Sequence, residues 1–293
     1  MLLNEKIEHT AFSAGEQAII DYIQQERAAI AEQTTGQIAA ATFTTKSTLV
    51  RLAQKLDFAG WTEFKKAYLA ELDYLQRSSQ QLDANFPFSK TDNLLEVAQK
   101  LVQLKQAALD DTLQLLSYKE LKKASLMLYQ ARTIHVFAVS NNLLLAKEFQ
   151  LQMSRIGRQV IVHDLQSEIY YAAQLADKND CALLISYSGE TAELLEVGQI
   201  LQRRQIPILA LTSIGESNLS KLADLSLRMV TREKLYSKIA PFTTDTAISF
   251  LLELLYASIF TYDYEENVRA RQELARKLEK RRSTTSGILK EVD

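Results

Sequence analysis

Cys181-Ala182-Leu183-Leu184-Ile185-Ser186-Tyr187-Ser188-Gly189-Glu190-Thr191 is the stretch that decides how this chain folds. Five apolar residues in a row suit a short strand buried on both faces. Ser186, Ser188, Thr191 and a glycine follow, and a helical pattern opens near Ala192. The segment therefore reads as a strand passing through a tight, hydroxyl-rich turn into a helix. Gly189 lets the backbone turn sharply and approach a ligand closely. The N–H groups of a helix start, with the helix dipole, favour an anion. Ser and Thr hydroxyls add donors without charge. These parts compose a phosphate cradle.

The pattern repeats on either side. Strands are expected at Thr133–Val139, Gln159–Val162, Pro207–Leu211 and Leu225–Met229. Helices are expected at Leu143–Ile156, Ser167–Leu175, Glu193–Arg204 and Ser217–Leu222, with Gly157 as a C-terminal glycine. Short strands alternating with helices make an α/β parallel sheet covered on both faces. Ligands of such sheets bind beyond the carboxyl ends of the strands, where Ser186–Thr191 lies. A long helix over Thr244–Tyr264, capped by Thr243 or Thr244, closes this domain.

Residues 1–77 read as all-helical. Ser13 with Glu16, and Thr34 with Gln37, have capping-box spacing. The segment Thr45–Leu56 turns Leu49, Leu52, Ala53 and Leu56 inward. Two short helices around Thr42-Phe43-Thr44 suggest helix-turn-helix, although the usual turn glycine is missing. The candidate DNA-contacting residues are Thr44, Thr45, Lys46, Ser47, Thr48, Arg51 and Lys55, because hydroxyls and cations serve phosphates and base edges. Over residues 40–70, Lys46, Arg51, Lys55, Lys65 and Lys66 face only Asp57 and Glu63, whereas residues 1–39 are acidic. A plain helical bundle with a solvated face is the competing reading.

The domain plan is residues 1–77 helix-turn-helix, 78–118 linker and connecting helix, 119–268 sheet domain and 269–293 charged tail. The 293 residues carry a net charge of −2, so a nucleic-acid site has to be local. The single cysteine, Cys181, rules out an intramolecular disulfide and a Cys-cluster zinc site, and reads as a buried thiol. There is no signal-peptide pattern and no apolar run long enough for a membrane span, which points to the cytoplasm. No metal or cofactor is expected.

The run Gln37-Ile38-Ala39, then Thr48-Leu49-Val50-Arg51-Leu52-Ala53-Gln54-Lys55-Leu56-Asp57-Phe58-Ala59-Gly60-Trp61, resembles the N-terminal domain of RpiR-type transcriptional regulators. The Ser186–Thr191 loop resembles the phosphosugar loop of SIS (sugar isomerase) domains, and the modules occur in RpiR order. The resemblance implies a three-layer α/β/α sheet of flavodoxin-like order. It also implies a DNA-binding homodimer or homotetramer of carbohydrate metabolism that answers to a sugar phosphate. Carried over by motif, Ser186, Ser188, Gly189 and Thr191 hold the phosphate, with Glu190 beside them. The first SIS loop, usually GxGxS, here reads Ala138-Val139-Ser140-Asn141-Asn142. Ser140, Asn141 and Asn142 are thus candidate effector contacts in a loop that has lost both glycines.

Two rivals stay open. A sugar-phosphate isomerase on the same sheet needs a base; of His9, His135 and His163, only His163 falls at a strand's carboxyl end, and no catalytic residue is assigned. An effector-independent regulator would keep the sheet domain for oligomerisation alone. In the loop Thr212–Ser217, Thr212 and Ser213 are further candidates to frame a sugar, although Ser217 as a helix cap is the preferred reading of that loop.

Overall fold

The computed structural model describes residues 3–8, 10–79, 82–230 and 232–278. His9 and the basic positions Lys280, Arg281 and Arg282 lie outside them. Contacts divide the chain into two units. One holds the chain up to Leu115, with Ser213–Ser217 and Met229–Thr246. The other holds Leu116–Thr212, Asn218–Arg228 and the chain from Ala247 on.

In the first unit, helices α1 (Leu3–Glu8), α2 (Ala14–Glu26), α3 (Thr35–Ala41), α4 (Lys46–Lys55) and α5 (Trp61–Ser79) precede the long α6 (Leu94–Leu115). Both expected capping boxes form. Ser13 serves the Glu16 N–H and Glu16 the Ser13 N–H; Thr34 and Gln37 do the same at α3. The core of the helical head joins Ile19, Ile20, Ile23, Ile38, Leu49, Leu52, Leu56, Phe64 and Tyr68, all buried. The Tyr68 hydroxyl donates to the Ile23 carbonyl at 2.9 Å, which satisfies its one polar atom inside that core.

The second unit carries the sheet. Its elements are α7 (Tyr118–Gln130), β1 (Ile134–Ala138), α8 (Asn142–Ser154), β2 (Val160–His163), α9 (Ile169–Leu175), β3 (Cys181–Ile185), α10 (Ala192–Arg203), β4 (Ile208–Ser213), α11 (Asn218–Leu222), β5 (Leu225–Met229), α12 (Phe242–Phe260) and α13 (Tyr264–Leu278), except that Ser213, Met229 and the α12 residues up to Thr246 belong to the first unit. Strand order is β2-β1-β3-β4-β5, the flavodoxin-like order. The pairings of β1 with β2 and β3, and of β3 with β4, are parallel. All five residues of β3 are buried, as its apolar run requires. Gly157 takes φ +73° after α8, where the Arg158 N–H returns to the Met153 carbonyl. Cys181 is buried, and burial pushes its thiol up to about 12.

Candidate functional site

The register pairs Ala138 with Ile185 and Ile185 with Leu211. The loops after β1 and β3 therefore leave the sheet at one level. Strand β1 lies between β2 and β3, so these loops flank the point where the winding of the sheet reverses, the usual ligand crevice of such sheets.

The β3 loop is built around Ser186, which is only 2% exposed. Its N–H donates to the Leu211 carbonyl at 3.1 Å. Its Oγ accepts the Gly189 N–H at 3.1 Å and lies 2.9 Å from Thr191 Oγ1. Gly189 has φ +67°, which a side chain would strain. Ser188, half-buried, has its Oγ 3.2 Å from the Glu190 N–H it accepts. Thr191 is the N-cap residue of α10, yet its side chain makes no cap bond. The first turn of α10 thus keeps N–H groups that no capping side chain covers.

Glu190 does something else. Its carboxylate accepts the Asn218 N–H at 2.9 Å and the Asn218 side-chain amide at 2.7 Å, at the start of α11. The Leu219 N–H also reaches the Gly189 carbonyl at 3.0 Å. Glu190 ties the loop to α11.

In the β1 loop, Ser140 takes φ +56°. It stands where the SIS pattern has its second glycine, so the left-handed turn survives the loss of that glycine, at a cost of about 1 kcal/mol. Asn141 is the N-cap residue of α8 without a side-chain cap bond, and Asn142 opens the helix; both are half-buried. Thr212 departs from the expected frame. It is fully buried, and the Arg228 guanidinium donates to its Oγ1 at 2.6 Å.

His163 ends a polar chain that sequence reasoning did not foresee. Arg132 donates to both Asp180 oxygens, at 3.1 and 3.3 Å. His135 Nε2 lies 3.2 Å from Asp180 Oδ2, and His135 Nδ1 lies 3.0 Å from His163 Nε2. Burial acts to raise the Asp180 carboxyl, but Arg132, the Asp177 N–H and His135 outweigh it and hold it below the usual carboxylate range. An ionised Asp180 accepts from His135 Nε2, and the second His135 nitrogen joins this pair to His163. Burial, with His135 second, pushes His163 down to about 4, and Phe137 stacks on its ring at 4.8 Å.

In the helical head the seven candidate DNA residues separate. Lys46, Ser47 and Arg51 are exposed, and Thr44 is half-buried. Thr45 caps α4 by accepting the Thr48 N–H at 3.3 Å. Thr48 is 9% exposed and turns toward Thr45, 3.0 Å away, so it faces inward. Lys55 pairs with Glu16 at 2.9 Å. The turn glycine is replaced by Phe43 at φ +51°. Lys6 donates to the Leu56 carbonyl at 2.7 Å, just past α4, and pairs with Asp57 and with Glu216.

Residues 1–75 match the helix-turn-helix domain of the rpiR family, and residues 127–258 match the SIS domain. The chain belongs to the RpiR-type regulators. An uncharacterized HTH-type transcriptional regulator of Caldanaerobacter subterraneus subsp. tengcongensis is 26% identical to this RpiR-type chain over 267 residues, covering 89% of it and 90% of the relative. The Vibrio vulnificus NanR protein complexed with ManNAc-6P has a similar fold, with TM-score 0.59 and 23% identity, over 96% of this chain and 98% of that one. A putative phosphosugar isomerase of Bacteroides fragilis NCTC 9343 resembles it with TM-score 0.53 and 18% identity, over 61% of this chain and 97% of that one. No helix among the described residues is long and apolar enough to cross a membrane.

Glu233 was not foreseen either. Fully buried, it accepts the Thr243 N–H at 2.5 Å and the Thr244 hydroxyl at 2.6 Å. It, rather than Thr243 or Thr244, serves the start of α12, which begins at Phe242. Its only sequence signal is an isolated acid nine residues before the helix.

Proposed function

We propose that this chain is a cytoplasmic, homo-oligomeric transcriptional regulator that binds operator DNA through residues 34–56. In this reading its affinity for DNA changes when a sugar phosphate occupies the loops after β1 and β3. The observation that carries the effector site is the Ser186–Thr191 loop. Its hydroxyls and a left-handed glycine stand before a helix start without a side-chain cap, at the reversal point of the sheet. Neutral donors and a helix terminus suit a phosphate. Ser186, Ser188, Gly189 and Thr191 take the phosphate, and Ser140, Asn141 and Asn142 meet the sugar; Glu190 positions the loop. The ManNAc-6P bound to Vibrio NanR supports the phosphosugar class. Thr44, Thr45, Lys46, Ser47 and Arg51 meet the DNA.

The chain senses its sugar phosphate and does not convert it. An imidazole held near 4, chiefly by burial, is a poor base for moving a proton next to a carbonyl. The likeness to the Bacteroides isomerase is what favours the enzymatic reading. Thermal-shift screening of sugar phosphates, with a coupled turnover assay on every hit, tests both. A hit without turnover is expected, and turnover would overturn the sensor reading.

A further inference from the structure

We propose that Phe43 reads DNA directly, by packing its ring on the 5-methyl group of a thymine in the major groove. The inference rests on residues 34–56 being the DNA-binding head. Phe43 carries two costs at once. Its φ of +51° lies in the left-handed region, where a bulky side chain is strained and a glycine is not. Its side chain is 98% exposed, so the ring earns nothing from burial in this chain. Among the described residues it makes no ring or cation contact.

The position is held firmly nonetheless. The Phe43 N–H reaches the Ala40 carbonyl at 3.3 Å, and the Thr44 N–H reaches the Ala39 carbonyl at 2.8 Å. Buried Thr42, before it, donates to the Ile38 carbonyl at 2.8 Å and bonds Thr44 Oγ1 at 2.8 Å. A rigid turn thus projects an apolar ring outward. Strain held in place by its surroundings marks a functional position. The ring leads directly into Thr44-Thr45-Lys46-Ser47, the start of α4, and the first residues of a recognition helix are those that meet base edges. A phenyl ring offers no hydrogen bond. The thymine methyl is the apolar feature of the major-groove edge, and apolar side chains read it by contact.

The test uses the full chain and the duplex that it selects from a random-sequence pool. Phe43→Gly removes the ring and suits the backbone; its unfolding midpoint should equal or exceed the parent's. It should bind the selected duplex about tenfold more weakly, the size of one lost base contact, while its affinity for an unselected duplex stays within about twofold. Each thymine of the selected duplex is then exchanged for deoxyuridine. One exchange should weaken the parent about fourfold, the effect of one buried methyl group, and leave Phe43→Gly unaffected. Phe43→Asn, which also tolerates this backbone, should repeat the pattern if the glycine variant folds poorly. Undiminished binding by both variants overturns the proposal. So does equal weakening on selected and unselected duplexes, or equal sensitivity of parent and variant to every exchange. A parent that selects no sequence brings down the DNA-binding reading itself, and this contact with it.

Discussion

Ser186 Oγ and Thr191 Oγ1 lie 2.9 Å apart, and this bond occupies the hydroxyl that would otherwise cap α10. Ser186 is buried and Thr191 half-buried, so the pair fixes the loop from beneath and leaves the helix start to a ligand. Thr191→Val keeps the shape and removes the hydroxyl. It should cost no more than about 1 kcal/mol of stability and weaken sugar-phosphate binding by about tenfold or more. Chemical denaturation and isothermal titration of the same samples measure the two effects separately. A variant that binds as the parent does would remove Thr191 from the site.

At Ser140 the left-handed backbone reverses the usual order of residue preference. Ser140→Gly should be more stable than Ser140→Ala by about 1 kcal/mol, the opposite of the order inside a helix. Urea midpoints of the two variants decide this. An alanine variant as stable as the glycine variant would mean that the turn carries no strain.

His163 titrates at about 4 in the folded chain, well below the ordinary histidine value, chiefly because it is buried. Between its ordinary value and 4, the unfolded chain binds a proton that the folded chain does not. Stability should therefore fall as pH drops from about 6.5 toward 4. His163→Gln keeps a polar group that can donate to or accept from His135 and should flatten that part of the profile. Thermal unfolding across this range tests it; a slope retained in full by the variant would assign the effect elsewhere.

Glu16 gives a dependence of the same sign at lower pH. Its bond from the Ser13 N–H and its pairing with Lys55 hold the carboxyl down at about 2. The stability it confers is complete above about 4.5 and disappears as pH falls toward 2. Glu16→Ala should cost about 1 kcal/mol at neutral pH. Its gap to the parent should close in acid, which denaturation series at pH 7 and pH 3 would reveal. A gap that stays constant would refute the assignment.

Local signals in the sequence carried far. Capping boxes at Ser13 and Thr34 formed because each is satisfied within four residues, and Cys181–Ile185 is a strand end to end because its whole run is apolar. Parallel order followed from strands alternating with helices. Partnerships between distant segments escaped. Lys55 reads as a free cation until Glu16, on another helix, is placed beside it. Thr48 reads as part of a polar face until Thr45 claims its hydroxyl and the helix turns it inward. Glu190 reads as a helix-start carboxylate until Asn218 takes both its oxygens. The His135–Asp180 link needs the register of β1 against β3, which spacing alone does not fix.

The central claim is that a sugar phosphate in the Ser186–Thr191 loop governs DNA binding. Its most direct test is fluorescence anisotropy of the selected duplex, titrated with the full chain at fixed salt, with and without each sugar phosphate that shifts the unfolding midpoint. The account predicts that at least one of them changes the duplex affinity by about fivefold or more, and that Ser188→Ala abolishes this change while keeping the affinity measured without sugar phosphate. A duplex affinity indifferent to every sugar phosphate, or a response that survives in Ser188→Ala, would contradict it.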